Sequence, residues 1–195
     1  MIKLPDYLEK LERLPEDPDY YTIYGFWGDE FNAIVKLFPI KNQLDVMPYS
    51  EQELIDGIHE SLAQDQGLIK VERAKTNSGN EFIYSIIKTH MNEYGVQYFA
   101  RLQMLIVNEF YEVDAFFGEE GITGQRDTVV FSQYLQNRKD KDKDPMDGWT
   151  CDPYDPMFQR GLLMNLSEEQ YYDRYFPNHP LTKCRELIKF IKENN

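Results

Sequence analysis

Cysteine is scarce in this sequence, which has only Cys151 and Cys184 among its 195 residues. The two do not form the Cys-x-x-Cys pair that is typical of zinc knuckles, so their spacing does not support a zinc site. A chain of this length can bury a core without a disulfide. We therefore predict two free thiols in a reducing compartment, which favours a cytoplasmic location.

Lysine and arginine are also few, with 21 basic residues against 34 acidic ones and a net charge of -13. Nucleic acids and anionic membranes are bound through positively charged surfaces, so we expect neither as a partner. An acidic protein attracts a basic protein surface or a cation more readily. The alternative is that the acidic charge serves only to keep the protein soluble. We predict that any partner is a protein, and the sequence leaves the oligomeric state open.

Long apolar runs are missing as well. No stretch approaches the roughly 20 apolar residues that cross a bilayer. Residues 1–6 carry an acidic side chain and lack the apolar segment of a secretory signal. Both observations agree with the predicted cytoplasmic location.

Motifs for catalysis and metal binding are not found. The three histidines, His59, His90 and His179, have neither the HxH nor the HExxH spacing, and we predict each as a surface residue. Cys184 lies on the apolar side of a predicted helix, and nothing basic adjoins Cys151 in the sequence. The sequence therefore predicts no catalytic residue, no metal site and no cofactor.

Periodic patterns are what the sequence does offer. Ser50 and Glu53 form a capping box before an apolar stripe, which predicts a helix over 51–66. Alternating strands separated by short turns predict an antiparallel meander, and a helix beginning near 123 or 127 follows. We predict an α+β fold with an antiparallel sheet of four to six strands and helices packed mainly on one face. The predicted strands lie at 31–38, 68–75, 82–91, 96–107 and 111–117.

The last fifty residues have a helical character. A charged run at 137–145 precedes them, and the final helix has an apolar stripe from Leu181 to Ile191. So short a segment is poorly suited to a core of its own. We predict one domain over 1–195, in which a helical extension (146–195) packs on an α+β core (31–136).

The order of these elements carries a resemblance. A strand, a helix, a four-stranded antiparallel meander and a further helix follow one another over residues 31–135. This layout resembles the Mog1/PsbP-like fold. The resemblance implies a protein that binds other proteins or serves as an assembly factor, and most members are not enzymes. A shared fold does not by itself define a function.

One loop stands out before the helix that follows the meander. Backbone amides and a guanidinium in such a place can bind an anion, and the candidate residues for this interaction or anion loop are Gly121, Thr123, Gly124 and Arg126. The neighbouring Glu119 and Glu120 would repel phosphate. The alternative is an ordinary strand-to-helix connection in which Arg126 pairs with a local carboxylate.

Two classes of function remain. The aromatic residues, 14% of the chain, and the acidic charge favour a non-enzymatic protein-binding or accessory module. The alternative is a small-molecule enzyme whose polar cleft is assembled from residues far apart in sequence. A pocket with converging titratable groups would favour the enzyme, and an exposed apolar patch would favour binding.

Overall fold

Seven strands form one antiparallel sheet in the computed structural model, which describes residues 2–12, 21–40, 50–91, 95–106, 109–139 and 142–195. In chain order the strands are β1 (Glu9–Lys10), β2 (Thr22–Trp27), β3 (Phe31–Ile40), β4 (Gln66–Lys75), β5 (Glu81–His90), β6 (Val96–Ile106) and β7 (Glu109–Glu119). Across the sheet they run in the order β1-β2-β3-β7-β6-β5-β4, and every neighbouring pair is antiparallel. The predicted antiparallel sheet of an α+β protein is confirmed.

The predicted count of four to six strands is wrong, because β1 and β2 were missed. β1 has only two residues, and β2 reads in the sequence as a cluster of aromatics around Gly25 rather than as an alternating strand. Pairing with β3 makes β2 a strand, in the register that joins Thr22 to Leu37. β3 also runs through Pro39, although proline has no amide hydrogen to donate. Pro39 lies beyond the pair of Thr22 with Leu37, so no β2 residue is left there to accept a hydrogen bond.

Three α-helices and two 3-10 turns complete the described structure. The helices are α1 (Glu51–Ser61), α2 (Gln125–Asn137) and α3 (Pro180–Asn194), and the 3-10 turns are Leu166–Glu168 and Gln170–Tyr175. The capping box of α1 is present, with Ser50 and Glu53 satisfying each other's backbone amides. The helix ends at Ser61 rather than at 66, because β4 already begins at Gln66 and Gly67 is its second residue. A Cβ atom there would lie 1.6 Å from the Leu162 carbonyl oxygen, so only glycine fits.

The main core lies between one face of the sheet and α3. The apolar side of α3 is buried against β6 and β7, and its buried apolar residues are Leu181, Cys184, Leu187, Ile188 and Ile191. They share one cluster with sheet residues such as Val35, Leu102 and Phe117. The helical stripe at the end of the sequence is therefore the side that covers the sheet.

Helix α1 packs on the other face, which corrects the expectation that the helices lie mainly on one face. Its buried Ile55 clusters with Leu68 and Val71 of β4 and with Ile87 of β5. The preceding residue, Ile86, belongs to the core under α3. Because neighbouring residues of a strand point to opposite faces, α1 and α3 lie on opposite sides of the sheet at this edge.

Among the described helices, none combines the length and the apolar character that a membrane span requires.

Candidate functional site

The predicted interaction loop borders a concavity of about 500 Å³ at one end of the sheet. Three connections meet there: the turn between β2 and β3, the loop between β7 and α2, and residues 175–180 before α3. Antiparallel pairing of β3 with both β2 and β7 brings the first two together, and α3 carries the third across the same end of the sheet.

Gly121 allows the β7–α2 loop to lie directly on the β2–β3 turn. Its φ of 66° is in the left-handed region, and a Cβ atom would lie 2.8 Å from the Asp29 carbonyl oxygen. Next to it, the Glu120 amide donates to the Glu30 carbonyl at 2.9 Å. The close approach of two backbones thus places the acidic side chains of both loops around one concavity.

Glu119 anchors the inner wall of the concavity. Its carboxylate accepts hydrogen bonds from the amides of Gly124 at 3.2 Å and Val96 at 3.3 Å, and His179 Nε2 lies 3.5 Å away. Burial raises the pKa of Glu119, but the bonds from His179 and the two amides outweigh burial and hold the pKa below its ordinary value. The carboxylate is therefore ionised at neutral pH and serves to hold the loop.

Arg126 is buried and bound to the C-terminal extension (146–195, called the tail below) rather than presented to a ligand. Its Nε donates to the Ser167 carbonyl at 2.6 Å, and Nη2 donates to the Glu169 carbonyl at 3.1 Å. Nη1 donates to Asp173 at 3.0 Å and to Thr182 at 3.2 Å. Burial lowers the pKa of Arg126, and the attraction of Asp173 opposes that shift. The arginine joins α2 to the 3-10 turns and to the start of α3.

In the described structure, two of the four predicted loop residues already have their polar groups bound within the protein. The Gly124 amide already donates to a carboxylate, Arg126 is satisfied internally, and Gly121 and Thr123 are exposed. The alternative expectation also needs correction, because the carboxylate that pairs with Arg126 is 47 residues away in sequence. Four acidic side chains line the concavity, namely Asp29, Glu30, Glu119 and Glu120.

Three of those carboxylates, from Asp29, Glu30 and Glu120, face solvent without a cationic partner. Glu30 accepts from the Asn178 amide at 2.9 Å and Glu120 from the Asn32 amide at 2.5 Å, and both donors are neutral. Within the described ranges, no lysine or arginine forms an ion pair with any of the three. Their negative charges are thus available to an incoming positive group.

Large side chains that proteins usually bury are exposed beside these charges. Ile122 is 84% exposed and Tyr175 is 56% exposed, and both line the concavity. Tyr171 is 59% exposed, and Arg174 lies over both tyrosine rings at 4.1 and 4.6 Å from their centroids. Tyrosine and arginine are enriched at protein interfaces. Their positions relative to the acidic loops could not be read from the sequence, since only the tertiary structure brings residues 29, 120 and 175 together.

The histidines and cysteines do not bond to one another within the described residues. His59 was predicted at the surface, but it is 8% exposed, lies 2.9 Å from Asp152 and stacks on Phe158. Both thiols are free as predicted, and burial raises the pKa of Cys184 to about 12. Cys151 donates to the Asp152 carbonyl, and no histidine bond to it is seen in the described residues. No group of three or more His, Cys, Asp or Glu side chains in those ranges could hold a metal ion.

Comparison of the chain with known protein families and with curated proteins gave no match.

Proposed function

We propose that this protein is a non-enzymatic binding or accessory module that takes a basic segment of a partner protein. The binding surface consists of Asp29, Glu30, Glu120, Ile122 and Tyr175, and we call it the acidic–tyrosine surface. One observation supports the proposal most: three solvent-facing carboxylates, which have no cationic partner among the described residues, border a concavity beside the exposed side chains of Ile122 and Tyr175.

The chemistry of this surface suits lysine or arginine side chains carried on an extended or helical segment. Complementary charge accelerates encounter and selects against acidic partners, and the net charge of -13 extends that attraction. Affinity itself comes more from a few large side chains that become buried, and Tyr175 and Ile122 are of that kind. Charge thus attracts and orients the segment, and the large side chains of Ile122 and Tyr175 hold it.

The enzyme alternative has less support at this surface. General acid–base catalysis is most effective when the pKa of the group lies near the working pH. The hydrogen bonds around Glu119 move its pKa away from neutrality, and Arg126 is fully occupied by protein acceptors. The titratable groups here are arranged to hold structure and to present charge.

The test measures binding of a fluorescent lysine- and arginine-rich peptide and of a glutamate-rich peptide by anisotropy. The site variant removes the three solvent-facing charges with Asp29→Asn, Glu30→Gln and Glu120→Gln. The matched control removes three exposed charges elsewhere, with Asp6→Asn, Glu9→Gln and Glu60→Gln. Both variants have the same net charge.

We expect the basic peptide to bind in preference to the acidic one. The site variant should weaken binding roughly tenfold, at about 0.5 kcal/mol for each exposed charge contact, and the control should change it far less. Tyr175→Ala should weaken binding with little dependence on salt, because it removes buried area rather than charge. Equal losses in the site variant and the control would show that only net charge matters, and the proposed surface would be wrong.

A further inference from the structure

A second concave region lies on the α3 side of the sheet, near the edge formed by β4 and β5. It has a volume of about 690 Å³. The sheet forms its floor, one side of α3 forms one wall, and the tail segments around 148–154 and 164–170 form the other. Small-molecule sites commonly enclose about 300–1,000 Å³. This cleft shares no residue with the acidic–tyrosine surface.

The floor of the cleft is apolar. Ile69 and Ile86 of the sheet lie on the floor, Ile188 of α3 and Trp149 of the tail continue the apolar surface onto the two walls, and each of the four is at most 6% exposed. Met164, which is partly buried, lines the same space. An apolar body that entered the cleft would therefore contact side chains that are already held in place by the core.

The wall formed by α3 is cationic. Arg185, Lys189 and Lys192 are spaced at i, i+4 and i+7, so they lie on one side of the helix, and all three line the cleft. Lys70 adds a fourth cation from β4. The cleft has only three carboxylates, Glu72, Asp152 and Glu169, although the chain as a whole carries a charge of -13. The lining thus has one more cationic than anionic side chain, in contrast to the acidic chain as a whole.

Two of those carboxylates are already occupied. Asp152 is 4% exposed, contacts His59 and accepts two backbone amides of its own turn. Glu72 accepts from the Tyr84 hydroxyl at 3.0 Å and lies 3.2 Å from the Lys70 ammonium.

On the cationic side, Arg185 is bound to Asp173 at 2.9 Å. Lys189 is mostly exposed, and its ammonium lies 3.9 Å from the Glu193 carboxylate. An exposed ion pair of this kind contributes little to stability. No acceptor for the Lys192 ammonium is found within the described ranges. Two lysines on α3 are therefore available beside an apolar floor.

We propose that this cleft binds a small molecule with an apolar body and one anionic group, a carboxylate or a phosphate. The body lies on the isoleucine floor against Trp149, and the anion is held by Lys189 and Lys192. Binding here is separate from binding at the acidic–tyrosine surface.

The test uses Trp149 as the reporter. The chain has two tryptophans, and Trp27 is 63% exposed on β2, so Trp27→Phe leaves the cleft residue as the only one. Decanoate and decyltrimethylammonium are titrated separately into this variant while its fluorescence is followed. The two probes have similar apolar chains and opposite charge. Decyl phosphate distinguishes a phosphate from a carboxylate head group.

We expect a saturable response to decanoate or decyl phosphate and a response to decyltrimethylammonium that is at least about tenfold weaker. In the same background, Lys192→Glu should weaken anion binding about tenfold. Lys10→Glu is the matched control, because it changes net charge equally at the opposite edge of the sheet, and it should leave binding unchanged.

A second readout is the alkylation rate of Cys151, an exposed thiol on the wall that also carries Trp149. A bound anionic ligand should slow this alkylation. Equal binding of the anionic and cationic probes would overturn the proposal, as would equal losses in Lys192→Glu and Lys10→Glu. The absence of any saturable response from Trp149, together with unchanged alkylation, would show that the cleft is not a binding site.

Discussion

Replacing Lys88 by methionine should destabilise the whole protein, because it leaves a buried carboxylate without its cation. The Lys88 Nζ atom lies 2.6 Å from Glu168 Oε2, and the two side chains are only 3% and 1% exposed. The same carboxylate accepts from the Tyr98 hydroxyl at 2.9 Å and from the Asn165 amide at 2.8 Å. Glu168 belongs to the 3-10 turn Leu166–Glu168, so the pair joins the tail to β5.

The expected cost follows from burial rather than from distance. Removing one partner of a buried ion pair usually costs about 3–5 kcal/mol, since the remaining charge keeps its desolvation penalty. Lys75 and Glu81 form a pair of similar length, 2.9 Å, but their side chains are 67% and 56% exposed. Such an exposed pair contributes about 0–1 kcal/mol. Lys88→Met and Lys75→Met therefore make the same chemical change in two environments.

Urea unfolding followed by circular dichroism gives the free energy of unfolding of each variant. For a chain of this size, about 3–5 kcal/mol corresponds to a fall of roughly 6–20 °C in melting temperature. Adding Glu168→Gln to Lys88→Met should restore part of the loss, because glutamine keeps an acceptor for Tyr98 without a charge. If Lys88→Met and Lys75→Met cost the same, the argument from burial is refuted.

Three further predictions concern the thiols, acid stability and the tail. Ellman's reagent should titrate one thiol in the native protein, Cys151, and two in urea, since burial raises the pKa of Cys184 to about 12; two rapidly reacting native thiols would contradict this. The pKa of Glu119 in the folded protein is below its ordinary value of 4.5, so its contribution to stability is present above that pH and is lost as the pH falls further. Glu119→Gln should therefore flatten the loss of stability in acid, and an unchanged slope would count against that role. Leu187 is fully buried, so Leu187→Asp should cost about 4 kcal/mol or more and lower a single unfolding transition, whereas a tail that folded independently would leave a second transition unchanged.

Local patterns in the sequence determined the parts of the fold that depend on neighbouring residues. The capping box of Ser50 and Glu53 marked the start of α1, and alternation over 68–117 marked the four strands of the meander. The stripe from Leu181 to Ile191 marked the buried side of α3. These elements were predictable because backbone hydrogen bonding and the periods of helix and strand act within a few residues.

Only the tertiary structure decided where the candidate site lies and what its residues do. The sequence left two roles open for Arg126, a candidate anion ligand or the partner of a local carboxylate, but its acceptors at Ser167 and Asp173 are 41 and 47 residues away. The concavity joins loops near 29, 120 and 177 only because β3 pairs with β7, a neighbour that is distant in sequence. Pairing between distant segments depends on how the whole core packs, and local periodicity carries no information about it. Composition determined the acidic charge, and the fold decided which carboxylates remain without cationic partners and which lysines line a cleft.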